Sequence, residues 1–148
     1  MRVWTDDERN PLTYGAQFIK STRALDVLLK YGREDWIWVK SVAETKRLLE
    51  TEAVEIVSLD NDLGACCVNK CWLGISSAWV RNCFEDECVC ECHIEGYEVL
   101  TWLEEKAFEG TMKIPETIIF HSANDARRDQ AEAAIRNIKR FVAEKKCV

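Results

Sequence analysis

Short apolar runs alternate with helix-length amphipathic stretches along the chain. Arg2–Thr5 (RVWT) is apolar and β-prone enough for a brief strand, which ends at Asp6-Asp7. Residues 10–20 contain Pro11 and Gly15 and predict a loop. Ser21 is placed to cap a helix running to about Tyr31, with Ala24, Leu25, Leu28 and Leu29 as its apolar face and Gly32 as its stop. The aromatic and β-branched Trp36–Val39 (WIWV) predicts a second strand. Ser41 then caps a helix whose Val42, Leu48 and Leu49 face inward, and Glu44 completes a capping-box pattern. Residues 54–59 predict a buried strand ending at Asp60. After a long interruption, Tyr97, Leu100, Leu103 and Ala107 recur at helical spacing. Thr117–Phe120 predicts a fourth strand that delivers His121 and Ser122. A last helix over 125–145 carries Ile135, Ile138 and Val142 on one face.

Strand and helix alternating four times predict an α/β three-layer sandwich with a mainly parallel four-stranded sheet. Ligands of such sheets collect at the carboxyl ends of the strands. Three of the predicted strands end in chemically reactive types: Asp6-Asp7, Asp60-Asn61-Asp62 and His121-Ser122. Carboxylates gathered from separate strands repel one another unless a cation sits between them. Asp6, Asp7, Asp60 and Asp62 are therefore candidate ligands for magnesium, which prefers hard oxygen donors. Ser122 and Asn124 can donate hydrogen bonds to phosphate oxygens, and Arg9 and Asn61 can line the same pocket. His121 is a candidate general acid or base. The competing reading of these residues is structural: aspartates after strands cap helices, and the histidine is a satisfied, half-buried side chain.

Bulk properties narrow the partners. With 148 residues and 47% apolar content the chain supports one core, so a single domain over 1–148 is expected. Net charge is −6 without any basic block, which disfavours duplex DNA but leaves room for a small nucleotide in one pocket. No apolar run approaches the roughly 20 residues that span a bilayer, so no membrane partner is expected. The opening MRVWTDDERN lacks the apolar stretch of a secretory signal. The expected compartment is the cytoplasm, where thiols and metal ligation prevail over structural disulfides.

That expectation matters for an insert over residues 65–95. Seven of the eight cysteines lie between Cys66 and Cys92, followed at once by His93. Cys67, Cys71, Cys83, Cys88, Cys90, Cys92 and His93 are the candidate zinc ligands, because soft thiolates and imidazole select that ion. Spacing alone allows two four-ligand sites or one site with spare thiols. Disulfides and an iron–sulfur cluster stay open as alternatives. Trp72 and Trp79 in the insert can stack on a nucleobase or form its small core. A second copy of the chain is a further possible partner, since such an insert can pack on a neighbour.

The segments TDDE, VSLDNDLG, GYEVLTWLEE and IIFHSAN together resemble a response-regulator receiver domain, which has a flavodoxin-like fold. The resemblance assigns the acidic pair to Asp6 and Asp7, the phospho-accepting position to Asp60 and the hydroxyl after the fourth strand to Ser122. The chain is similar above all to a divergent branch, the cyclic-phosphate processing receiver-like domains. Typical receivers carry a lysine after a fifth strand. This pattern holds neither, so the fold is expected to be truncated relative to theirs, which counts against a phosphorelay role. The branch implies a metal-dependent phosphoesterase acting on cyclic or terminal phosphates of nucleotides or phosphate-ended RNA, with His121 protonating the leaving oxygen. The alternatives are a module that binds a cyclic nucleotide without turnover and a switch phosphorylated on Asp60.

Overall fold

Four four-residue strands pair in parallel in the order β2-β1-β3-β4 in the computed structural model, which describes residues 1–15, 22–63, 95–122 and 124–146. They are β1 (Arg2–Thr5), β2 (Trp36–Val39), β3 (Ile56–Leu59) and β4 (Thr117–Phe120). The helices between and after them are α1 (Thr22–Tyr31), α2 (Val42–Thr51), α3 (Tyr97–Glu109) and α4 (Asp125–Lys146). β3 (IVSL) is buried at all four residues, the polar Ser58 included, as befits a parallel strand covered on both faces. From β1 the chain first adds β2 on one side and then returns to add β3 on the other. That reversal opens a crevice between the carboxyl ends of β1 and β3, where α/β sheets bind ligands.

Side chains alternate across the sheet, so the core divides into two clusters. On one face Val3, Val57, Leu59 and Ile118 pack with Val42, Leu48 and Leu49 of α2, Val99, Leu100 and Leu103 of α3, and Ala131, Ala134 and Ile138 of α4. On the other, Trp4, Trp36 and Ile56 pack with Ala24, Val27 and Leu28 of α1. Helices therefore cover both faces, which gives the three layers and the receiver-like α/β architecture. Ser41 Oγ accepts the backbone N–H of Glu44 at 3.1 Å and starts α2 as its capping pattern predicts.

The differences from expectation are local. Leu29 is 79% exposed and Val27 takes its place in the core, because positions 24, 27, 28 and 31 form the stripe one helix face can bury. β3 begins at Ile56, while Val54 is buried in the turn before it. Val99 replaces the partly buried Tyr97 as an inward residue of α3. Ile135 and Val142 are only partly buried, and the buried residues of α4 are Ala131, Ala134 and Ile138. No helix among the described residues is long and apolar enough to cross a membrane. Ser21, Trp72, Trp79 and the zinc candidates Cys67, Cys71, Cys83, Cys88, Cys90, Cys92 and His93 lie outside the described residues.

Candidate functional site

β1 runs out at Asp6, and the Asp6 side chain folds the next turn around itself. Its Oδ1 accepts the backbone N–H groups of Glu8 and Arg9 at 3.0 and 2.9 Å, a common use of aspartate in turns. Two indoles hold this turn from the sheet below. Trp38 Nε1–H donates to the Asp6 carbonyl at 2.7 Å, and Trp4 Nε1–H to the Arg9 carbonyl at 2.8 Å. The turn carries the Arg9 guanidinium back over the strand ends. A single nitrogen, Nη1, meets Asp6 Oδ2 at 3.2 Å and Asp60 Oδ2 at 3.1 Å. The Tyr14 ring lies 5.5 Å from the guanidinium carbon.

His121 is fully enclosed beneath this bridge. Its Nε2 lies 2.9 Å from Asp6 Oδ2 and its Nδ1 2.7 Å from Ser58 Oγ, while the ring stacks on Trp4 at 4.1 Å. Burial pushes the His121 pKa down, so the ring is neutral. Burial alone would raise Asp6, but the hydrogen bond from His121 and the N–H groups of Arg9 and Glu8 outweigh it and hold that carboxyl below its usual range. An ionised Asp6 requires the proton on Nε2. Nδ1 then accepts from the Ser58 hydroxyl, a tautomer assigned from the hydrogen-bond network. Both ring nitrogens are engaged.

Asp60 has the opposite balance. Burial and the nearby Asp6 charge push its pKa to about 7, despite Arg9, the Ser122 hydroxyl and the Asn61 N–H. Ser122 Oγ accepts the Asn124 N–H at 3.0 Å and directs its own proton toward Asp60. Asp7, half-buried, is raised to about 6 by burial and then by the charges of Glu8 and Asp6. Thus the crevice gathers Asp6, Arg9, Asp60, His121 and Ser122, with Asp7 adjoining through the chain.

The remaining candidates have structural partners. Asn61 Oδ1 accepts the Tyr97 N–H at 3.2 Å at the start of α3, and its Nδ2 donates to Glu95 at 3.1 Å. Asn124 Oδ1 accepts the Arg127 N–H at 3.2 Å and caps α4. Asp62 is exposed, and its carboxylate lies 3.4 Å from Asn61 Nδ2. Residues that pattern reading passed over frame the site: Trp4, Trp38 and Ser58 beneath it, and Glu95 with Arg127 at its side, joined at 2.5 Å. Arg23 of α1 reaches the Ser122 carbonyl at 2.7 Å and pairs with Asp125. None of these lies in a local motif that separates it from core or surface.

The sequence model of the cyclic-phosphate processing receiver domain matches residues 1–137. The chain belongs to this family. No curated protein and no solved structure gives a significant match. The crevice of this receiver also suits a cation. Ligand atoms of Asp6, Asp60 and His121 lie within 4.8 Å of one another. The two carboxylate oxygens already converge on a positive nitrogen, and Asp60 still holds its proton up to near neutrality. The pair is therefore short of positive charge, and hard oxygen donors of this kind fit a divalent ion such as magnesium.

Proposed function

We propose that this receiver captures the cyclic or terminal phosphate of a nucleotide or RNA end at the β1/β3 crevice and hydrolyses it with the help of magnesium. The observation that carries this reading is the convergence of two buried carboxylates from adjacent strand ends on one cationic point. Asp6 and Asp60 would hold the ion, which when bound supplies Lewis-acid charge against the phosphoryl oxygens. His121 fixes the Asp6 carboxylate in place, because reaching a leaving oxygen would mean giving up its bond to Asp6. The Ser122 hydroxyl steadies Asp60 from the other side. Asp7, half-buried and titrating near 6, is the member of the acidic pair suited to exchange a proton near neutral pH. The cysteine-rich residues are assigned zinc on ligand softness alone.

The commitment of both His121 nitrogens favours a second reading, a binding module that retains its ligand intact. One experiment separates the two. The pure protein is incubated with magnesium and a panel of cyclic nucleotides and RNAs ending in a cyclic phosphate. Ring-opened product that disappears in Asp60→Asn supports the enzyme. Saturable binding with the ligand recovered unchanged supports the module, and neither binding nor turnover across the panel removes both.

A further inference from the structure

Arg9 occupies the position where a metal ion would neutralise the acidic pair. One guanidinium nitrogen touches an oxygen of each carboxylate at 3.1–3.2 Å, and the Arg9 side chain is only 20% exposed. Magnesium takes oxygen ligands at about 2.1 Å, so an ion bound to both Oδ2 atoms and the Arg9 nitrogen claim the same space. Keeping both would also set like charges a few ångströms apart in a poorly solvated crevice.

The backbone of Arg9 is fixed independently of its side chain. Its N–H is held by Asp6 Oδ1 and its carbonyl by the Trp4 indole. The side chain can therefore swing out while the turn stays in place, and the Tyr14 ring lies alongside it. A released guanidinium still needs a partner, and its planar fork matches a phosphate better than it matches water.

We infer that Arg9 is a displaceable counter-cation: it plugs the acidic pair when the site is empty and moves onto the phosphate when metal and ligand are bound. This rests on the assignment of Asp6 and Asp60 as metal ligands. Metal alone must displace Arg9 from two buried carboxylates, whereas metal with phosphate gives Arg9 a new anion. Each ligand then strengthens the other by the same factor, as linkage requires.

The test titrates magnesium into the full chain by calorimetry, with and without saturating inorganic phosphate. The wild-type protein is compared with Arg9→Gln, Arg9→Lys and Asp60→Asn. Phosphate should tighten magnesium binding to the wild type by about fivefold or more, within the usual range of coupling between sites. Arg9→Gln should bind magnesium alone more tightly than the wild type and lose the dependence on phosphate. Arg9→Lys keeps the charge without the fork, so it should retain the weak metal affinity yet show reduced coupling. This variant carries the test if Arg9→Gln does not fold. Equal magnesium affinity in wild type and both Arg9 variants, lost in Asp60→Asn, would overturn the plug and leave the metal site standing. Binding absent throughout, or unchanged in Asp60→Asn, would remove the metal assignment itself.

Discussion

Ligand atoms of Asp60 and His121 lie within 4.8 Å of each other, yet burial acts on them with opposite consequences for pH. Burial first, and then the charge of Asp6, raises the Asp60 pKa to about 7. Between an unfolded value of about 4 and that point, the metal-free folded chain binds a proton the unfolded chain has released. Stability from this group therefore falls as pH rises through that window. His121 is lowered, so the unfolded chain protonates first below about 6.5, and its contribution falls as pH drops. The two slopes oppose each other in the wild type, and only a comparison isolates Asp60. Asp60→Asn keeps the shape and removes the charge. In urea unfolding without magnesium, its advantage over the wild type should be absent near pH 4 and grow to at most about 4 kcal/mol above pH 7. Parallel pH profiles for the two proteins would show that the Asp60 carboxyl is not destabilised by its surroundings. Asp60 and His121 were legible in the sequence because each directly follows a strand. Trp4, Trp38 and Ser58 were not. They share one row across three strands, where Trp4 pairs in register with Trp38 on one side and Ser58 on the other. Register is a relation between distant segments, and no local pattern of apolar and polar residues contains it.

At the level of elements, Gly96 sets how closely α3 approaches the end of β3. Its φ and ψ of −55° and −24° are ordinary helical values, so alanine could adopt the backbone without strain. Space is the constraint: a Cβ on Gly96 would lie 1.7 Å from the Asp60 carbonyl oxygen, far inside contact distance. Gly32 is the natural comparison, with φ +83° but nothing within 4 Å of an added Cβ. Gly32→Ala should cost about 1 kcal/mol through its positive φ. Gly96→Ala must separate a helix from a strand end, and the expected cost is about 2–3 kcal/mol. If Asp60 holds magnesium as proposed, Gly96→Ala should also weaken that binding, which Gly32→Ala should leave alone. Equal costs in denaturant unfolding would mean that the helix yields easily and does not position the carboxylate. Pattern reading found β1, β2 and β4 at their observed bounds because each is a compact apolar run between polar residues. It misjudged faces where burial depends on a neighbour's shape. Leu29 is exposed, and α4 buries Ala131, Ala134 and Ile138 while Ile135 and Val142 are only partly buried.

At the scale of the whole molecule, the chain is divided by residues 64–94, yet the described residues on either side close one fold. Among the described residues, both core clusters draw on elements before and after that stretch. Its flanks are stitched together. The Gly96 N–H meets the Asn61 carbonyl at 2.8 Å, and Asn61 also binds the Tyr97 N–H and the Glu95 carboxylate. Arg127 of α4 pairs with Glu95 at 2.5 Å. A connection between Leu63 and Glu95 therefore needs to span only a short gap. Replacing 64–94 by a linker of about four Gly and Ser residues should preserve the circular dichroism and cooperative unfolding of the full chain. An about eightfold drop in the number of residues joining two fixed ends changes the chain-closure term by only ~2 kcal/mol. The shortened protein should also keep the proposed magnesium site, since Asp6, Arg9, Asp60 and His121 are all retained. Elemental analysis should find roughly one or two zinc ions in the full chain if the cysteines act as proposed, and none after the replacement. A shortened chain that fails to fold would show that the sheet and helices depend on the cysteine-rich residues. One that folds and binds magnesium but no longer takes up a cyclic phosphate would assign those residues to ligand recognition, leaving the acidic crevice to hold the metal.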